Sequence, residues 1–163
     1  MSAQTTYTFA TKIGFPGGIV DIEPHAIDTY LNEEDNGVML YGIAVVRGTD
    51  AKQCKIPEST PCDFLGVTVN NLTTEHNLTG ELLIKKNAAI GVMSYGKVYA
   101  RLDSDAVVNA GDPAYFIIGS GLFTNSDGGE ENVLVGKFES AASNGIAALR
   151  LYNAPVSNGE DVG

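Results

Sequence analysis

Polar and apolar side chains alternate near the start of the chain. Thr6-Tyr7-Thr8-Phe9-Ala10-Thr11-Lys12-Ile13 places Tyr7, Phe9 and Thr11 on one face and the intervening side chains on the other, which is the period of a strand. Phe15-Pro16-Gly17-Gly18 and Glu23-Pro24 then interrupt it with turn and breaker residues. Over residues 25–34 the spacing shifts to i, i+3, i+4 at Ile27, Tyr30 and Leu31, predicting one or two helical turns. Asn36-Gly37 closes the segment with a strong turn dipeptide. A stretch of this kind cannot bury a core of its own. Residues 1–36 therefore read as an N-terminal arm that docks on something.

From Gly37 the texture changes to short apolar runs separated by turns. The predicted strands are Val38–Arg47, Phe64–Asn70, Leu82–Lys85, Ala89–Met93, Gly96–Leu102, Ala114–Ile118, Val133–Glu139 and Ala147–Tyr152. Arg47-Gly48-Thr49-Asp50, Gly119-Ser120-Gly121, Asp127-Gly128-Gly129 and Asn144-Gly145 punctuate them. Asn109-Ala110-Gly111-Asp112-Pro113 is a further structural turn. There Gly111 tolerates positive φ, Asp112 favours the turn, and Pro113 presets φ at the start of a strand. Gly66 and Gly136 fall inside strand patterns, which marks bulges or close backbone approaches. No long amphipathic helical window follows residue 36, which argues against parallel α/β architecture, since each crossover would want a helix. The expectation is an all-β domain over residues 37–153, a small β-sandwich or jelly-roll-like barrel with an extended N-terminal arm. A flexible acidic tail over 154–163 follows it. Gly37-Val38-Met39-Leu40-Tyr41-Gly42 and Gly91-Val92-Met93-Ser94-Tyr95-Gly96 echo one another, as equivalent strands or by chance.

Length and charge narrow the function. A folded chain of 163 residues buries roughly 69% of its surface and needs no metal or disulfide staple. Ten Lys and Arg against twenty Asp and Glu give a formal charge of −10, which opposes nucleic-acid or anionic-membrane binding. No apolar run approaches the roughly 18–20 residues of a membrane span, and the polar N-terminus lacks a secretory pattern. Without such a route, Asn71-Leu72-Thr73 and Asn77-Leu78-Thr79 do not imply glycosylation. Cys54 and Cys62 are the only cysteines, at a spacing that fits neither a zinc site nor a redox motif, and read as free thiols.

Candidate chemistry is sparse. No nucleophile elbow, phosphate loop or dinucleotide fingerprint occurs. Asp103-Ser104-Asp105 and Asp127-Gly128-Gly129-Glu130-Glu131 offer oxygens suited to calcium but lack the order of a calcium loop, and read as solvated turns. Sugar-cleaving carboxylate pairs are usually accompanied by aromatic platforms, and this chain has no Trp. His25 sits in the arm and His76 in a polar loop, so neither flanks a nucleophile. The expectation is no catalytic residue, no metal and no cofactor.

Six segments in order resemble the capsid cement, or decoration, proteins of tailed bacteriophages. They are Leu40-Tyr41-Gly42-Ile43-Ala44-Val45-Val46, then Phe64-Leu65-Gly66-Val67-Thr68, then Ile90-Gly91-Val92-Met93-Ser94-Tyr95-Gly96-Lys97-Val98-Tyr99-Ala100. Asn109 to Phe116, Val135-Gly136-Lys137-Phe138 and Ile146 to Leu151 complete the order, spanning residues 37–152. The resemblance implies a β body on the outer surface of an assembled virion capsid, made in the bacterial host cytoplasm. The implied partners are the major capsid protein and further copies of the chain as a dimer or trimer, with no nucleic acid and no membrane. Tyr7, Phe9, Ile13 and Phe15 are then the expected anchors of the arm, on the capsid protein or a neighbouring copy, because aromatic residues dominate binding hot spots. They alternatively pack on their own domain. Two other readings are a tail, spike or carbohydrate-binding β-sandwich module, and an enzyme.

Overall fold

Runs of β-branched and aromatic residues bounded by turns become eleven strands in the computed structural model, which describes residues 14–70, 75–76 and 82–151. In chain order they are β1 Ala26–Asn32, β2 Ala44–Arg47, β3 Gln53–Lys55, β4 Phe64–Val69, β5 Glu75–His76 and β6 Leu82–Leu83. They continue with β7 Ala89–Arg101, β8 Pro113–Phe116, β9 Phe123–Thr124, β10 Val133–Phe138 and β11 Ile146–Leu151. No described residue is helical. The architecture is all-β, as the strand-and-turn pattern predicts.

One long strand organises the molecule. The first half of β7 pairs antiparallel with β1 on one side and β4 on the other. The order β1-β3-β2-β4-β7, with β1 returning to β7, closes a ring of five strands. The second half of β7 pairs with β11, and β10, β8 and β9 follow outward. A bridge from Leu102 to Phe123 brings β9 back to the end of β7, so the far half of the sheet also curls on itself. β5 and β6 form a separate two-stranded ribbon.

Side-chain alternation along shared strands divides the apolar residues into two cores. Tyr41, Ile43, Val45, Leu65, Ile90 and Val92 pack inside the five-stranded ring. Ala44, Val67 and Met93 point out of that ring into the second core, where they meet Phe116, Phe123, Phe138 and Leu149. Phe64 stacks on Phe116 with ring centroids 5.1 Å apart. The same strands thus wall both cores, so neither half has a polar seam against the other.

The two glycines marked within strands sit at register shifts, one between β2 and β4 and one between β8 and β10. Gly66 has φ 151°, and a Cβ there would collide with the Met93 carbonyl. A Cβ on Gly136 would collide with the Arg150 carbonyl. Both bulges tighten local twist, which a closed barrel needs.

Three readings of the pattern are corrected. Residues 26–32 form strand β1, not a helical turn. Ile27, Tyr30 and Leu31 fit a helical spacing, but Ile27, Thr29 and Leu31 fit a period of two equally well, and the edge of β7 supplies the hydrogen-bond partners that decide between them. The separate strands predicted over 89–93 and 96–102 are one continuous strand. The echo does not mark equivalent strands: Gly91–Gly96 lies within β7, whereas residues 37–42 are coil and turn leading into β2.

Candidate docking surface

The chain before β1 lies along the same edge of β7 that β1 occupies. Gly17 N–H donates to the Tyr99 carbonyl at 2.8 Å, Tyr99 N–H to Gly18 at 2.9 Å and Val20 N–H to Lys97 at 3.3 Å. Ile19 bridges Val98 antiparallel, and five residues farther along the chain Ala26 to Leu31 pair with Tyr95 to Ala89. Residues 17–20 and β1 are therefore two pieces of one broken strand, with 21–25 looped out between them. Gly17 makes the first piece possible: its φ is 77°, and a Cβ would lie 2.8 Å from the Asn70 nitrogen and 2.9 Å from the Tyr41 Cβ.

Charge clamps the looped-out residues. Lys97 Nζ reaches Asp21 at 3.1 Å and Glu23 at 2.9 Å, with the lysine side chain only 14% exposed. Arg150 lies 3.5 Å from Glu23 and 2.7 Å from Glu139. The Glu23 backbone N–H and then Lys97 hold the Asp21 carboxyl below the ordinary carboxylate value. Arg150 does the same for Glu139, and the hydrogen bonds to Glu23 and Asp21 raise Lys97. Nothing in the spacing of these residues signals their meeting, because Lys97 is 74 positions from Glu23 and Arg150 is 127.

Apolar side chains stand out of this strip. Phe15 is 50% exposed and Ile22 wholly so, and Ile19, Ile27, Leu31 and Tyr95 are also exposed. Of the four anchors expected from sequence, Phe15 thus lies on the surface, while Tyr7, Phe9 and Ile13 fall outside the described residues, as does the tail after Leu151. Gly111, Asp112 and Pro113 lie at the opposite end of the sheet system, in the turn that enters β8. Gly111 has φ 93°, Asp112 N–H donates to the Asn109 carbonyl at 3.1 Å, and the Asp112 carboxylate accepts from Asn109 N–H at 2.9 Å and Asn125 Nδ2 at 3.0 Å. They do not join the strip.

The groups available for chemistry are dispersed or occupied. Among the described residues no three His, Cys, Asp or Glu side chains assemble as a metal site. Asp103 and Asp127 cap their own turns, accepting from the N–H groups of Asp105 and Gly129. Burial pushes the Cys54 thiol up to about 12 and also raises Cys62, so neither is an activated nucleophile. Beside Cys62 a polar pocket of about 230 Å³ is lined by Arg47, Lys55, Glu58 and Asp63. Its charges are paired with one another, Arg47 with Asp63 at 2.6 Å and Lys55 with Glu58 at 3.3 Å. His25 is exposed, its ring against the Glu23 carbonyl.

A family model described as structural cement protein (E217 gp24/Pam3 gp6) matches residues 3–152. A chain from the solved capsid of Myoviridae phage XM1 superposes with a TM-score of 0.68 at 17% identity, covering 92% of this chain and 97% of that one, a likeness of fold. The head fibre gp8.5 N base of bacteriophage phi29 aligns at 13% identity and TM-score 0.42, over 82% of this chain and 99% of that one. No curated protein matches.

Proposed function

Because the chain belongs to the phage structural cement protein family, we propose that this virion structural protein binds the outside of the assembled capsid and ties neighbouring capsomers together. The observation that supports this reading best is the match over residues 3–152, which takes in both the barrel and the chain leading to it. The mechanism is thermodynamic. A protein that binds only the assembled lattice stabilises that lattice by mass action, and many symmetry-related contacts add through multivalency where one molecule bridges two capsomers.

The arm expected over residues 1–36 supplies the reach. Its part from Gly14 onward is attached along β7, which leaves Tyr7, Phe9 and Ile13 to engage a capsid protein or a neighbouring copy, with Phe15 at the root of the contact. The body works as a dimer or trimer, made in the bacterial host cytoplasm. Its structural family and the dispersed titratable groups support a role without catalysis.

The test is to add purified protein to undecorated capsids. Stoichiometric binding with a rise in capsid melting temperature supports the reading, and a double Tyr7→Ala, Phe9→Ala variant should bind at least tenfold more weakly. Absence of binding, or binding unaffected by the double variant, counts against the cement role or the anchors respectively.

A further inference from the structure

β1 is satisfied along its whole length by β7 but barely on its other side, where only Leu31 and Asn32 meet β3. The direction of its hydrogen bonds is set by alternation. Asn32 N–H donates to Ala88 on the β7 side, whereas Leu31 and Glu33 N–H donate to Lys52 and Cys54 on the β3 side. Ile27 and Thr29 share the parity of Leu31, so their N–H and C=O groups point where β3 has already ended. Residues 26–29 are exposed. Natural edges of this kind are usually blunted by charged side chains, above all Lys, or by Pro; Ala26-Ile27-Asp28-Thr29-Tyr30 holds no Lys or Pro, and Asp28 is its one charge.

We propose that this open edge of β1 receives residues 6–13 of a second copy of the chain as an added strand. The donor segment has what strand addition requires: eight residues of alternating pattern, two aromatics, no Pro or Gly, and Lys12 as its one charge, opposite in sign to Asp28. To pair along this edge, the molecule's own segment would have to reverse at Gly14, which lies against the Tyr99 ring, and run back outside residues 17–25. That path is obstructed at its start, where the Gly17 carbonyl already accepts from Asn70 N–H at 2.9 Å. A neighbouring molecule needs no such reversal, and reciprocal exchange closes a two-fold dimer.

The inference deepens the arm's role within the cement reading, and its test contains no capsid, so its failure leaves the decoration result standing. Full-length protein is followed by sedimentation across a concentration series, beside Thr29→Pro and Thr29→Ala. Proline at an outward-facing edge position removes the open donor without breaking a ladder bond. The native chain and Thr29→Ala should self-associate alike, Thr29→Pro at least tenfold more weakly, and a synthetic peptide of residues 2–13 should dissociate the native assembly. Hydrogen exchange on the native chain gives a reading independent of how proline is tolerated. The amides of Ile27 and Thr29 should exchange at least tenfold more slowly when associated than when dilute. A chain that stays monomeric at high concentration, association unchanged by Thr29→Pro, an assembly indifferent to the peptide, or unchanged exchange at Ile27 and Thr29 would each overturn the proposal.

Discussion

Thr68 is fully buried and holds the chain leading into β2. Its hydroxyl donates to the Leu40 carbonyl at 2.7 Å and accepts from Ile43 N–H at 3.2 Å. Thr68→Val keeps the shape and leaves both backbone groups without that partner, so it should cost about 1–3 kcal/mol. The check is a lower denaturant midpoint with an unchanged slope. Phe116 is a different case, fully buried and stacked on Phe64. Phe116→Ala should cost about 3–5 kcal/mol through a cavity that closed strands cannot collapse into. Much at this scale was legible from local pattern: Gly66 and Gly136 announce bulges because a glycine within a strand run has few other uses. The partners of Thr68 were not, since its hydrogen bonds span 25 and 28 positions.

Among the elements, those bounded by turns and long enough to show a period were read close to their observed limits, β4, β10 and β11 above all. Those decided by a distant partner were not. β1 carries two compatible periods and takes its form from β7, while β3 and β9 are three and two residues long, too short to show any. The ion-pair clamp on residues 21–23 belongs to this scale and makes a prediction about pH. The folded Asp21 and Glu139 carboxyls are held below their ordinary values of 3.8 and 4.5. A carboxyl depressed by folding stabilises above its ordinary value and loses that contribution as pH falls through the lower folded one. Lys97, raised above 10.5, holds until strongly alkaline pH. Limited proteolysis within residues 20–25 should therefore be slow and flat from about pH 5 to 9 and accelerate below about pH 4. Lys97→Met should make it fast at neutral pH while leaving the barrel's thermal midpoint little changed.

For the whole molecule, the charge of −10 opposes binding to nucleic acid. On the proposed cement reading it also suits an outer position, away from packaged DNA. If the exposed Phe15, Ile19 and Ile22 beside the clamp carry the proposed capsid contact, that contact is largely apolar, and decoration should weaken by less than tenfold between low and physiological salt. The most direct measurement is an electron-microscopy map of the parent virion in which this chain can be traced. The account predicts the barrel on the exterior of the shell, seated over a seam between capsomers, with the chain before Gly14 extending from it across the seam. Density for this chain in the tail, inside the shell, or centred on a single capsomer with no contact to its neighbours would contradict it.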